Sequence, residues 1–133
     1  MIEAIDNEIP FTAVCYSLKY LSGAERETPC RAFLCGGEFS ASNAIFEAHR
    51  FQQTLNSFYP DIAFYSAAGM HVSKGATCFN LEELPVKRWA VDGAKSMCWL
   101  STTVNLARCV PARMGDLKRF DIEVSDCCRK MSM

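Results

Sequence analysis

The sequence predicts an α+β fold, in which a mostly antiparallel sheet of about five to seven strands is covered on one face by one long helix. Several short segments alternate apolar and polar side chains, as strands with one solvated face do. One segment instead places its apolar side chains at helical spacing. Glycine and proline are spread along the chain as single residues or short turns, without a linker or a repeat, so we expect a single domain over residues 1–133.

The first predicted strand covers residues 11–21, where large apolar side chains alternate with small or polar ones. A polar loop over residues 22–29 separates it from a second strand at residues 31–35. If the two strands form a hairpin, Cys15 faces Cys35, because directly paired side chains in an antiparallel pair have Cβ atoms about 4.5–5.5 Å apart.

The predicted long helix spans about residues 41–59. Ser40 is a suitable N-cap because its hydroxyl can accept from the first-turn N–H groups, and Pro60 ends the helix. Phe46 departs from the apolar stripe and falls on the polar face. The stripe itself follows i, i+3, i+4, i+7 spacing and consists of Ala41, Ala44, Ile45, Ala48, Phe51, Leu55 and Phe58.

The sequence of the middle of the chain predicts short strands and one helical turn. Residues 62–66 form an apolar run typical of a buried strand, and residues 69–79 hold another candidate strand. Residues 80–84 indicate one helical turn, which Pro85 ends. Residues 86–91 are then predicted to form a strand.

The last part of the chain leaves an alternative open. Asp92 and Gly93 favour a two-residue hairpin, from which residues 95–104 return as an antiparallel strand. The alternative is a second helix over residues 94–109. The strand is favoured because the Ser-Thr-Thr-Val run within it forms helices poorly. Residues 119–124 alternate apolar and charged side chains, which predicts a final strand with one wet face.

Composition and charge exclude several classes of protein. Half of the residues are hydrophobic and 22% are charged, which excludes a disordered chain. The net charge of −1 provides no global field that attracts nucleic acid or an anionic membrane. No apolar run approaches the roughly 18 residues of a membrane-spanning helix, and the acidic first residues lack the basic region of a signal peptide. We therefore expect a cytoplasmic protein without membrane association.

The chain has eight cysteines, and their spacing decides what they can do. No C-x-x-C pair occurs, and neither His49 nor His71 stands beside a cysteine in the sequence, so we predict no metal site and no cofactor. A disulfide scaffold is disfavoured because a chain of this length has enough apolar residues for a core. We therefore expect reduced thiols at Cys15, Cys30, Cys35, Cys78, Cys98, Cys109, Cys127 and Cys128.

Cys35 is the best candidate for a reactive thiol. It precedes a Gly-Gly turn and the predicted helix, whose positive end would stabilise a thiolate. His49 is badly placed to act as its base, because it lies more than two turns into that helix. The simpler interpretation is a small buried strand residue. A thiol-dependent enzyme that uses Cys35 is therefore the first alternative function.

A second alternative is a nucleic-acid-binding domain. Lys87, Arg88 and Trp89 interleave charge with an aromatic ring, the combination that follows a phosphate backbone and stacks on bases. Downstream carboxylates and the negative net charge oppose this interpretation, so nucleic acid is not the expected partner.

The leading prediction is a non-enzymatic binding or assembly protein, of an accessory or inhibitor type. On the polar face of the predicted helix, Phe46 is flanked by His49, Arg50 and Gln53, which is the composition of a small protein-binding hot spot. We expect this patch to bind a protein partner or a second copy of the chain. The question of enzymatic activity stays open, with the absence of a catalytic group of residues favouring a binding protein.

Overall fold

A computed structural model shows an α/β fold built from small parallel and antiparallel sheets and one helical segment of 13 residues. By contacts between Cα atoms the chain divides into two units, Met1–Gln53 and Thr54–Met133. None of the described helices is long and apolar enough to cross a membrane. The structure describes residues 5–6, 8–21, 30–42, 44–47, 52–102 and 108–125.

The first unit contains two small sheets. Its elements are β1 (Phe11–Cys15), α1 (Leu18–Leu21), β2 (Cys30–Leu34), β3 (Glu38–Ser40) and β4 (Ile45–Glu47), and the short helix α2 (Gln52–Leu55) crosses the boundary between the units. Strands β1 and β2 pair in parallel, with Phe11 beside Cys30 and Cys15 beside Leu34. Strands β3 and β4 form an antiparallel pair in which Phe39 lies beside Phe46.

The predicted hairpin between the first two strands is wrong. After β1 the chain turns into α1 rather than continuing as a strand, and the Lys19 N–H donates to the Ser17 hydroxyl at 3.3 Å as that helix begins. A parallel pair cannot be joined by a tight hairpin turn, and the helix that follows β1 agrees with the parallel pairing of β1 and β2. The proximity predicted for Cys15 and Cys35 is nevertheless observed, because the Cys35 N–H donates to the Cys15 carbonyl at 2.6 Å.

The long amphipathic helix predicted over residues 41–59 is also wrong. Ala44 has a φ of 54°, outside the helical region, and the chain then enters β4. Ile45 is buried there, and the Phe46 ring lies 5.1 Å from that of Phe39. Tertiary packing thus overrides the helical spacing of the apolar side chains. Among the described residues of 41–59, Gln52–Leu55 forms a helix.

The second unit contains two three-stranded sheets. One is wholly parallel, in the order β10-β8-β5, and the other is antiparallel, in the order β6-β7-β9. The elements are β5 (Ile62–Ser66), β6 (Gly69–His71), β7 (Gly75–Cys78), a 3₁₀ turn (Leu81–Glu83), α3 (Leu84–Gly93), β8 (Ser96–Ser101), β9 (Ala112–Gly115), a second 3₁₀ turn (Leu117–Arg119) and β10 (Ile122–Ser125).

Several predictions for this unit are confirmed and others are wrong. The strand predicted at residues 62–66 is β5, and β8 is the strand preferred over a second helix at 94–109. Residues 86–91 belong to helix α3 instead of a strand, because Pro85 stands at the start of the helix, where its fixed φ and missing N–H are tolerated. Consequently Asp92 and Gly93 end a helix and make no hairpin, and β8 pairs in parallel with both of its neighbours.

The core of the second unit joins both sheets to the helix. Trp99 of the parallel sheet, Val91 of α3 and Met114 of the antiparallel sheet belong to one buried cluster. Burial of each large apolar side chain contributes about 1.5–3 kcal/mol to stability. Tyr65 is anchored in the same cluster, because its hydroxyl donates to backbone carbonyls of α3, Val86 at 3.5 Å and Lys87.

Candidate functional site

The strongest candidate for a ligand site is the edge of the second unit at which the three parallel strands end. Ser66 of β5 lies beside Leu100 of β8, and Ser101 of β8 lies beside Ser125 of β10, so the strands end nearly level. Ligands of open parallel sheets bind outside the carboxyl ends of the strands. We call this edge, with residues 67–69 after β5 and Thr102 after β8, the carboxyl edge.

Thr77 on β7 supports one side of the carboxyl edge. Its hydroxyl donates to the Gly69 carbonyl at 3.1 Å and accepts from the Val110 N–H at 3.2 Å, while its carbonyl accepts from the Ala68 N–H at 3.0 Å. The side chain is buried, so these bonds are shielded from water. One threonine therefore holds the segment after β5, strand β7 and the segment before β9 together.

Gly69 allows two backbone segments to meet at the carboxyl edge. A Cβ atom at this position would lie 2.5 Å from the Arg108 carbonyl oxygen and 2.9 Å from the carbonyl carbon. Neither backbone atom can yield without moving the chain, so only glycine fits here. The backbone at Arg108 thus passes directly over the beginning of β6.

The polar groups near this edge suit a small polar ligand. Ser66 and Thr102 are exposed and offer hydroxyl groups that both donate and accept. The Arg108 guanidinium is exposed and lies 5.1 Å from the centre of the Phe79 ring, an arrangement that orients its charge. Across the described residues, no three His, Cys, Asp or Glu side chains form a group that could hold a metal ion.

The structure does not support a reactive thiol at Cys35. The residue is fully buried, and the element that follows it is strand β3 instead of a helix. Burial, and secondarily the nearby Cys15, raise the pKa of the Cys35 thiol to about 11, which disfavours the nucleophilic thiolate. The six described cysteines are free, while Cys127 and Cys128 lie outside the described residues.

The predicted protein-binding patch does not form on a helix. Phe46 lies on β4 and is half buried against Phe39, and Gln53 is an exposed residue of α2. His49 and Arg50 lie outside the described residues.

The predicted nucleic-acid stripe is divided by the geometry of α3. Lys87 is buried, with its Nζ 2.7 Å from the Glu83 carboxylate one turn earlier. Arg88 is exposed and donates to the Arg113 carbonyl at 3.1 Å, whereas Trp89 packs against the core. Successive residues of a helix point in different directions, so these three side chains share no surface.

The carboxyl edge was missed because the sequence was interpreted as antiparallel. A signal for it was present in residues 97–100, an unbroken apolar run of the kind that parallel strands buried on both faces require. Between β5 and β8 the chain forms β6, β7 and helix α3, and a helix is the usual part of the crossover that a parallel pair needs. The strand predicted at residues 86–91 is incompatible with that helix, so the crossover could not be predicted.

Comparison with known proteins shows the family directly. The model of the DeoR C terminal sensor domain matches residues 1–127. Three relatives named deoxyribose operon repressor, from Escherichia coli strains K12, O6:H1 and O157:H7, are each 68% identical over 128 residues. The aligned part is 96% of this chain and 51% of each relative, so the chain spans about half the length of these relatives.

The family match corrects the functional predictions. The sequence predicted a non-enzymatic binding or assembly protein of an accessory or inhibitor type, with a thiol-dependent enzyme and a nucleic-acid-binding domain as alternatives. All three predictions are wrong. The chain matches a sensor domain, and the relatives that contain a similar domain are named as operon repressors. On the extent of the match and the identity, this chain belongs to the DeoR C terminal sensor domain family.

Proposed function

We propose that this chain is the effector-sensing part of an operon repressor, and that its effector is a sugar related to 2-deoxyribose. The observation that carries the proposal is the 68% identity to deoxyribose operon repressors over 96% of the chain. Identity of this extent over nearly the whole chain supports the same kind of ligand.

The geometry of the carboxyl edge supports a sugar as the ligand. Sugars present hydroxyl groups that both donate and accept, and the exposed Ser66 and Thr102 hydroxyls offer matching partners. The exposed Arg108 would favour a sugar that carries a phosphate ester, because a guanidinium binds phosphate with paired hydrogen bonds. Thr77 and Gly69 hold the backbone in place, which reduces the entropy lost on binding.

The remaining functions of a repressor would belong to the complete protein. We propose that operator DNA is bound by a part that this chain does not span, and that the protein therefore acts in the cytoplasm. We also propose that the two units form one domain, which the family match across both of them supports. Binding of a protein partner or of a second copy of this chain stays a prediction.

Isothermal titration calorimetry tests the ligand. The 133-residue chain is titrated with 2-deoxyribose, with its 5-phosphate ester and with ribose as the reference sugar. We expect saturable binding of at least one deoxy compound and weaker binding of ribose. A preference for the ester would assign a role to a basic group such as Arg108.

A pair of threonine variants tests the position of the site. Thr102→Val replaces an exposed hydroxyl at the carboxyl edge, and Thr12→Val replaces an exposed hydroxyl on β1 in the first unit. We expect Thr102→Val to weaken binding about five- to ten-fold, the loss of one hydrogen bond, and Thr12→Val to leave it unchanged. Absence of binding by the unaltered chain would contradict the proposed function.

A further inference from the structure

The turn that follows β7 carries a side-chain amide with unused hydrogen-bonding capacity. Asn80 is partly exposed and stands directly before the 3₁₀ turn Leu81–Glu83. Its Nδ2 donates to the Glu83 carboxylate at 2.7 Å, which uses one of its two N–H groups. The second N–H and the Oδ1 oxygen have no partner among the described residues. One donor and one acceptor therefore remain for a ligand or for water.

A buried lysine holds this amide in one orientation through the Glu83 carboxylate. Oε2 of Glu83 lies 2.7 Å from Nζ of Lys87, which is 5% exposed. Hydrogen bonds to charged groups are the stronger ones, so Nδ2 of Asn80 stays against the carboxylate and its Oδ1 faces away. An ion pair with a buried partner is a weak source of net stability, because desolvation offsets the attraction. Orienting Asn80 is a role that accounts for it.

Described contacts connect Asn80 to the carboxyl edge. It follows Phe79, an exposed residue whose ring centre lies 5.1 Å from the Arg108 guanidinium carbon. The backbone of Arg108 in turn packs on Gly69 at the start of β6. On the strand side, the Asn80 carbonyl accepts from Sγ of Cys78, the last residue of β7, at 3.5 Å. The amide therefore lies next to Phe79 and Arg108 at a surface that solvent reaches.

We propose that the Asn80 side chain binds the hydroxyl groups of the effector, with Oδ1 accepting a hydroxyl hydrogen and the second N–H donating to a sugar oxygen. This inference rests on the proposed function and names a residue that would recognise its ligand. A sugar hydroxyl both donates and accepts, so it matches the donor and the acceptor that Asn80 presents. An apolar ligand would leave both atoms without partners.

The fixed amide also favours tight and selective binding. Because Glu83 and Lys87 orient Asn80 before the ligand arrives, little side-chain entropy is lost on binding. Sites built to form hydrogen bonds with a hydroxyl group discriminate against analogues that lack it, since their polar groups are then left unpaired.

Calorimetry with sugar analogues tests the contact. The 133-residue chain and the variant Asn80→Ala are titrated with 2-deoxyribose, with its 5-phosphate ester, and with analogues of both that each lack one of the remaining hydroxyl groups. We expect Asn80→Ala to weaken binding of the preferred deoxy compound about five- to ten-fold, the loss of one hydrogen bond. One analogue should bind the unaltered chain more weakly by a similar factor and show no further loss in Asn80→Ala, because that variant already lacks the contact.

Asn56→Ala is the matched control. Asn56 is an exposed residue in the turn after α2, so its replacement should leave the binding of every compound unchanged. Circular dichroism establishes that each variant is folded. Should Asn80→Ala fail to fold, the unaltered chain still gives an answer through the nitrogen–proton spectrum of its side-chain amides. The Asn80 amide signals should then shift on titration with the deoxy compounds, and those of Asn56 should stay in place.

The outcomes separate this inference from the proposed function. If the unaltered chain binds a deoxy compound but Asn80→Ala binds it equally well, the inference is overturned while the proposed function stands. The same conclusion follows if every analogue loses as much affinity for Asn80→Ala as for the unaltered chain, or if the Asn80 amide signals do not move. If neither deoxy compound binds the unaltered chain, both proposals fail together.

Discussion

The two units of this protein use parallel strands in opposite ways. In the second unit, the central strand β8 buries Met97, Cys98 and Trp99 in succession, so both of its faces are covered. In the first unit, β2 exposes Arg31, Ala32 and Phe33 in succession, although it too is paired in parallel. Adjacent residues of a strand point to opposite faces of the sheet. Three successive buried residues therefore show that both faces are covered, and three successive exposed residues show that both faces are open.

The difference shows where a ligand site can be held rigidly. Parallel strands are stable chiefly when other elements cover both faces. The core of the second unit packs α3 and the antiparallel sheet against the parallel one, whereas the described residues of the first unit leave β2 open to solvent. The side chains of a binding site must be held in place by packed neighbours. The carboxyl edge of the second unit has such neighbours and is therefore the better candidate for a ligand site than the parallel pair of the first unit.

Amide hydrogen exchange gives the largest expected contrast. We predict that the amides of Cys98 and Trp99 exchange on the order of a thousand-fold more slowly than those of Ala32 and Phe33. The reason is that covered strands open only when the core opens, whereas exposed pairs open locally. Exchange measured by NMR or mass spectrometry checks it, and similar rates for both strands would remove the distinction drawn between the two units.

A glycine pair tests the carboxyl edge. Gly69→Ala should lower the free energy of unfolding by about 2 kcal/mol and abolish effector binding, because its Cβ would meet the Arg108 carbonyl. Gly93→Ala, at the end of α3, is the control, since a Cβ there meets nothing within 4 Å and its φ is not left-handed. Alanine at position 93 should leave stability unchanged or slightly higher.

Urea unfolding and calorimetry measure both effects of that pair. Equal stability and equal binding for the two variants would show that the segment at Arg108 does not rest on Gly69.

Two lysine variants compare a buried ion pair with an exposed one. The buried Lys87 lies 2.7 Å from the partly buried Glu83 carboxylate, whereas Lys95 and Asp61 are 2.6 Å apart but mostly exposed. We expect Lys87→Met to lower the free energy of unfolding by about 1–2 kcal/mol, because the Glu83 carboxylate loses its cation in a partly desolvated place. Lys95→Met should leave the unfolding midpoint unchanged, since water screens that pair.

The midpoint of urea unfolding, followed by circular dichroism, checks the comparison. An equal loss in both variants would mean that burial does not strengthen the Lys87 pair.

The sequence predicted individual elements better than their pairing. Alternating or continuous apolar runs located β5 and β10, because the face of a strand is a local property of its residues, and the low helix propensity of the Ser-Thr-Thr-Val run favoured the strand at β8. Their parallel order depends on where α3 carries the chain, and that helix was not predicted because Pro85, which stands at its start, ends helices when it occurs in their interior. The helix predicted at residues 41–59 failed for a different reason, since Ile45 gains more from burial in β4 than helical spacing offers.

The candidate site could not be predicted from local sequence patterns. Gly69 and Arg108 meet only through the fold, and nothing in the spacing of Ser66, Thr77 and Thr102 indicates that they lie near one edge. The residues chosen from the sequence were conspicuous in composition, whereas those at the edge are small hydroxyl residues and a glycine.

The smallest expected effect belongs to Cys35 in the first unit. Its pKa is raised from 9.0 to about 11 by burial and by Cys15, so the folded state holds the thiol proton more tightly than the unfolded state does. The resulting stability is fully present below about pH 9 and is lost as the pH rises from 9 to 11. We expect the unfolding midpoint to fall over that interval, and to fall less in Cys35→Ala, because alanine has no proton to lose.

Thiol labelling completes this prediction with a control in the same chain. Cys109 is exposed, so iodoacetamide should modify it within minutes at pH 7.5, whereas Cys35 should react only when the first unit opens. Peptide mass spectrometry follows each site separately. Fast labelling of Cys35 in the folded protein would mean that its thiol is accessible, and the first unit would then be more open around Cys35 than its buried position implies.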